Sequence, residues 1–192
     1  VDGDQRVFAP ISSTRAVDAC ALVAFDATDG AERWRDAVPS ANCTVHAVAD
    51  VAVADYDRDG TTEVLATTTE REVVAYAPGG AVEREWSLSA YGYTKPIVAN
   101  VTGDATPEVV VVDSQGLVQV LEGDGGVAWR DARDGYVWGT PVVADVDDDG
   151  RVEVVVADST GTMTAYDATG GVDWTTELDG EAVTWLGHGD AD

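Results

Sequence analysis

Lysine is almost missing from this chain: Lys95 is the only one, and every other basic residue is arginine. Histidine is confined to His46 and His188, and cysteine to Cys20 and Cys43. With so few histidines, no carboxylate–histidine–nucleophile set is evident, and no G-x-S-x-G, H-E-x-x-H or phosphate loop occurs. No apolar run reaches the ~18 residues that a membrane-spanning helix needs, and no segment carries a helical stripe. Positive charge is scarce overall, with 11 basic against 36 acidic residues and a net charge of −25. That field excludes nucleic acid and anionic membrane surfaces as partners. It suits a halophile, because molar salt screens carboxylate repulsion to about 3 Å. Disorder is excluded by the 45% of residues that are hydrophobic. A chain of 192 residues can bury one compact core.

What is abundant is repetition. Acidic stretches start at positions 55, 100, 145 and 190, a constant step of 45 residues. Asp55–Glu63 and Asp145–Glu153 are full copies of D-x-D-x-D-G-x-x-E, Asn100–Glu108 is a worn copy, and Asp190-Ala-Asp192 is a beginning. Each of the first three runs into a valine-rich or β-branched stretch. A fixed period of this length predicts a repeat architecture.

The unit 136–178 is the clearest. Thr140–Asp145, Glu153–Asp158, Thr162–Tyr166 and Val172–Leu178 read as four short strands separated by turns. Four antiparallel strands in about 45 residues is the size of a propeller blade. Units 44–88 and 91–132 repeat the pattern. Residues 1–38 supply strands two to four of a further unit, and the missing first strand occurs at Ala182–Gly187 within 181–192. The expectation is therefore an all-β, single-domain propeller of four blades over 1–192, its ring closed by strands from both ends. Four blades of a larger propeller are the alternative. The opening Val1-Asp2-Gly3-Asp4 aligns with the middle of an acidic loop, as expected of a trimmed segment or a permuted end.

The loops have calcium chemistry. Calcium takes six to eight oxygen ligands, and carboxylates at loop positions 1, 3, 5 and 9, with a carbonyl at position 7, can curl around one ion. Glycine at position 6 permits the turn. This assigns Asp55, Asp57, Asp59, Glu63 and the Thr61 carbonyl to one site. Asp145, Asp147, Asp149, Glu153 and the Arg151 carbonyl form a second. Asn100, Thr102, Asp104 and Glu108 make a weaker third, with Ala105 in place of the glycine. Asp190 and Asp192 with Asp2 and Asp4 make a possible fourth across the ring junction, where Phe8 replaces the glutamate.

Trp34, Trp86, Trp129 and Trp174 recur on the fourth strands and are expected to pack between blades. Propeller strands alternate in direction, so the acidic loops and the third-to-fourth turns share one face. The opposite face gathers His46, Tyr91, Tyr93, Lys95, Arg133, Tyr136 and Trp138, a candidate surface for a carbohydrate or a protein. Cys20 and Cys43 also fall on that side and are predicted to form a disulfide, which requires an oxidising compartment.

Two repeat families are resembled. Asp55–Glu63 and Asp145–Glu153 resemble the calcium loops of FG-GAP propeller repeats. Ala24-Phe-Asp26-Ala-Thr-Asp-Gly30-Ala-Glu-Arg-Trp34 resembles the tryptophan-docking motif A-x-D-x-x-x-G-x-x-x-W of pyrroloquinoline-quinone-like propellers, and Ala165–Trp174 is the same motif one residue shorter. The resemblance to such hybrid repeats, of a haloarchaeal type, covers essentially the whole chain. It implies a calcium-binding scaffold or binding module of an exported or cell-surface protein. A quinoprotein dehydrogenase fits badly, since the adjacent cysteines typical of it are absent. A propeller-fold polysaccharide lyase or another carbohydrate-active domain is the enzymatic alternative.

Overall fold

The computed structural model describes residues 5–12, 19–39, 43, 46–180 and 186–189. These hold fifteen strands in four antiparallel sheets. The first sheet contains β1 (Arg6–Ile11), β2 (Ala21–Asp26) and β3 (Glu32–Ala37). The second contains β4 (Ala52–Ala54), β5 (Glu63–Thr68), β6 (Glu72–Tyr76) and β7 (Val82–Ser87). The third contains β8 (Ile97–Ala99), β9 (Glu108–Val112), β10 (Leu117–Leu121) and β11 (Val127–Ala132). The fourth contains β12 (Val142–Ala144), β13 (Glu153–Ala157), β14 (Thr162–Tyr166) and β15 (Val172–Glu177). In each four-stranded sheet the strands pair in sequence order, the up-and-down meander of a propeller blade.

The core lies between sheets rather than within one. Leu22, Val64, Val74 and Tyr76 form the cluster between the first and second sheets. Leu65, Val73, Trp86, Val109 and Leu121 join the second to the third, and Val110, Val118, Val120, Val154 and Tyr166 join the third to the fourth. A middle strand is therefore covered on both faces, which is why β9 is a run of valines rather than an alternating pattern. All of Val109–Val112 are fully buried. Each valine contributes about 1.5–3 kcal/mol of transfer free energy. The fourth strands lie at the rim, and β15 is exposed along its whole length.

Each blade carries a register shift where its third strand turns into its fourth: at Ala24/Phe25, Ala75/Tyr76, Val120/Leu121 and Ala165/Tyr166. The bulge precedes a turn closed by a left-handed glycine, at Gly30, Gly80, Gly125 and Gly170. Repetition of one bulge at one place marks it as part of the blade design.

The register also separates the tryptophans. Trp34, Trp129 and Trp174 face Ala24, Val120 and Ala165 across the hairpin, but Arg84 holds that position in the second blade. Trp86 lies two residues further on, opposite Val73, and packs edge-on against Tyr56.

Cys20 and Cys43 form a disulfide, with Cα atoms 5.3 Å apart. It ties the start of β2 to the connection leading into the second blade. Ring closure by a strand at 182–187 is not seen: the first sheet has three strands among the described residues, and 182–185 lie outside them. No helix among the described residues is long and apolar enough to cross a membrane.

Candidate cation loops and the mouth face

The two full loops converge on one geometry. Carboxylate oxygens of Asp55, Asp57 and Glu63 lie within 4.8 Å of one another, as do those of Asp145, Asp147 and Glu153. Each glutamate opens the second strand of its blade and is held in the core. Glu63 is fully buried, and neither of its oxygens, nor Asp55 Oδ1, meets a hydrogen-bond donor. Burial pushes Glu63 up to about 7, reinforced by Glu83, Asp57 and Asp59; the Tyr56 amide, nearby but not in hydrogen-bond geometry, offsets only part of this. Glu153 is also raised by burial and by its three loop aspartates, but it accepts a 2.8 Å bond from the Val146 amide. Buried, unpaired carboxylate oxygens facing two further carboxylates fit a hard divalent cation.

Position 5 lies outside the two clusters of three, although it accepts a loop amide just as Asp55, Asp57, Asp145 and Asp147 do. Asp59 accepts from the Thr61 amide at 2.6 Å, and Asp149 from the Arg151 amide at 2.8 Å. Both therefore brace the loop, and neither joins the carboxylate cluster. The loop turns twice through left-handed space, at Arg58 and Gly60 in one copy and at Asp148 and Gly150 in the other. Sequence reasoning found position 6 and missed position 4, because arginine and aspartate carry no glycine signal.

In the worn loop the left-handed glycine has moved to position 4, at Gly103. Glu108 is fully buried yet satisfied, accepting from the Val101 and Thr102 amides and the Thr102 hydroxyl. Asn100 donates to the Asp104 carbonyl and accepts from the Gly103 amide. Polar side chains thus supply contacts that the full loops lack. Asp104 and Glu108 still approach Glu122 from the following turn within 4.8 Å, a residue outside the nine-residue motif. Asp2, Asp4, Asp190 and Asp192 lie outside the described residues.

On the opposite side, five rings make one continuous series. His46 meets Tyr93 at 6.0 Å, Tyr93 stacks on Trp138 at 5.9 Å and 18°, and Trp138 meets Tyr136 at 5.7 Å. Tyr91 branches from Tyr93 at 6.2 Å and carries the Arg71 guanidinium 5.5 Å above its ring. His46, Tyr93, Lys95 and Trp138 line a cavity of about 540 Å³ together with Asp50 and Thr140. Tyr91, Tyr136 and Trp138 are exposed. Arg133 does not line this cavity. Its guanidinium donates to Tyr166 Oη at 3.0 Å and lies 3.5 Å from the buried Asp158, so it braces two blades. His188 lies elsewhere, lining a separate pocket with Val142, Val146 and Trp174.

Sheets of this order joined by these loops define a β-propeller. A family model described as outer membrane protein assembly factor BamB matches residues 3–102, just over half of the chain. The chain belongs to that family of pyrroloquinoline-quinone-like repeats. No curated protein matches the sequence. The crystal structure of BamB from Moraxella catarrhalis superimposes on 91% of this chain with a TM-score of 0.63 at 20% identity, and 53% of that chain is covered. BBS1N in complex with ARL6DN superimposes on 84% at a TM-score of 0.59 and 13% identity, with 50% of that chain covered. The chain thus spans about half the length of these propellers.

Proposed function

We propose that this chain is a calcium-stabilised binding or scaffold module of an exported or surface protein of a halophile, and that its aromatic mouth face takes a carbohydrate or a protein partner. The observation that carries the reading is the exposed ring series around the cavity of about 540 Å³, with the only lysine at its edge. Rigid aromatic surface is what ligand sites concentrate, and in a chain of net charge −25 it stands apart from the surrounding carboxylates.

Three further observations agree with it. The loops at 55–63 and 145–153, of FG-GAP type, offer carboxylate clusters suited to Ca²⁺. The disulfide fits an oxidising, extracellular compartment. The family description is that of an assembly factor, and a binding role without catalysis follows from it more directly than a lyase does. A glycan array with neutral and acidic oligosaccharides, run beside Trp138→Ala and Tyr93→Ala, tests the sugar branch. Pull-down from surface extracts with the same variants tests the protein branch. Binding untouched by either substitution would place the ligand elsewhere.

A further inference from the structure

Asparagine is as scarce in this chain as histidine: Asn42 and Asn100 are the only two. Both stand two residues before a threonine, in Asn42-Cys43-Thr44 and Asn100-Val101-Thr102, and neither middle residue is proline. N-x-[ST] with a centre other than proline is the acceptor pattern for an N-linked sugar. Serine and threonine together make up 26 of the 192 residues, so chance would rarely put one at that spacing behind every asparagine in the chain. Asn42 and Thr44 lie outside the described residues, and the geometry that follows is that of Asn100.

Asn100 opens the worn loop, directly after β8. The two changes that wear this loop are the ones that write the acceptor pattern. Position 1 is Asp55 and Asp145 in the full copies and Asn100 here, and position 3 is Asp57 and Asp147 there and Thr102 here. Neither change leaves a buried carboxylate unpaired, because Glu108 takes three donors from this loop. Asn100 is half-buried, but its two amide bonds, to the Asp104 carbonyl at 2.7 Å and from the Gly103 amide at 2.8 Å, are solvent-exposed. No described residue comes within 4 Å of a β-carbon built on Gly103, so the space beside this turn is open. The Asn100 Nδ2 carries two N–H groups, and the Asp104 carbonyl takes one of them. Attachment of a sugar at Nδ2 removes one N–H and leaves the other for Asp104. The loop can therefore carry the sugar with its own hydrogen bonds intact.

We propose that Asn100 is an N-glycosylation site, a role that rests on the reading of the chain as an exported protein. The co-reactant is a sugar activated as a phosphate ester. Nδ2 forms a bond to the anomeric carbon, the bond from that carbon to the phosphate oxygen breaks, and the phosphate leaves with the electron pair. One Nδ2 proton passes to a base of the transferase. Peptide mass spectrometry on the chain purified from its source cells tests this, with envelope and medium fractions kept apart from cytosol. The Asn100 peptide from outside the cytosol should carry the added mass of one or more sugar residues. Asn100→Gln should remove that mass, and Thr102→Ala should remove it with Asn100 still present. Thr102→Ser, which keeps the hydroxyl, should retain it. An unmodified Asn100 in chain recovered outside the cytosol would overturn the site and leave the exported reading standing. Chain confined to the cytosol would overturn both. Sugar mapped to a serine or threonine instead of Asn100 would overturn the assignment as well.

Discussion

The Thr102 hydroxyl donates a 2.8 Å hydrogen bond to Glu108 at the loop position where the full copies place Asp57 and Asp147 beside their own buried glutamates. One loop answers a buried carboxylate with donors, and the other two add more carboxylate. On the proposed reading the two full loops call for a cation more strongly than the worn one, where Asp104, Glu108 and Glu122 still converge.

Calcium should therefore raise the melting temperature through two loops only. Each ion adds RT ln(1 + [Ca]/Kd), about 2.7 kcal/mol at a hundredfold excess over Kd. Calorimetric titration of Asp57→Ala or Asp147→Ala should lose one binding event and keep the other. Thr102→Ala should cost about 1 kcal/mol with or without chelator. A melting temperature indifferent to chelator in the parent chain would refute the role of the cation.

The left-handed backbone at position 4 gives a separate test. Asp148 has φ of 61° and Arg58 has φ of 59°, and both are exposed. Glycine adopts this conformation without steric cost. In chelator, Asp148→Gly and Arg58→Gly should each stabilise the fold by about 0.5–1 kcal/mol, after allowing for the greater freedom of glycine when unfolded. Urea denaturation read by tryptophan fluorescence measures it.

Acid should loosen the turn at Asp158 only at low pH. Burial works to raise this carboxyl, but hydrogen bonds from Thr160 and Thr162, with the Arg133 charge, outweigh it and hold it below its ordinary 3.8. A depressed folded value means the contribution is present above the unfolded pKa and is lost as pH falls through the folded one. Asp158→Ala should cost about 1–3 kcal/mol at pH 7. The gap between variant and parent in urea melts should narrow below about pH 4.

Salt sets the remaining condition. With a net charge of −25, dilution from molar to ~10 mM salt lengthens the screening distance from about 3 Å to about 30 Å. Far-ultraviolet circular dichroism should then report loss of strand structure in chelator, with partial recovery on adding Ca²⁺. Retention of the full spectrum at low salt would count against adaptation to brine.

Much of this architecture was legible because the 45-residue step aligns blade on blade. The strand positions, the sharing of one side by His46, Tyr93 and Trp138, and the Cys20–Cys43 pairing all follow from that alignment and from strand alternation. Trp86 packs between the second and third blades as expected, donating to the Glu122 carbonyl at 3.2 Å, but it stands out of register with the other tryptophans. The docking motif needs glycine and tryptophan four residues apart, as in Gly30/Trp34, Gly125/Trp129 and Gly170/Trp174, whereas Gly80 and Trp86 are six apart. Four residues beyond Gly80 is Arg84, which holds the register of the tryptophans in the other blades, opposite Ala75. Arg133 was misplaced because a cation in a connection looks alike whether it faces solvent or a buried Asp158. Glu122 was invisible to a nine-residue motif because the hairpin brings it to the loop from outside.

The Cys20–Cys43 bond encloses both β2 and β3. If the chain is pulled from its two ends, tension crosses from one cysteine to the other and never passes through those strands. The 23-residue separation between the sulfur-bearing residues would otherwise add about 80 Å of extensible chain at ~3.3–3.6 Å per residue. Under oxidising conditions that length stays locked, and single-molecule stretching should recover it only after reduction. If the module is exported as proposed, the bond would act as a mechanical lock on the first blade.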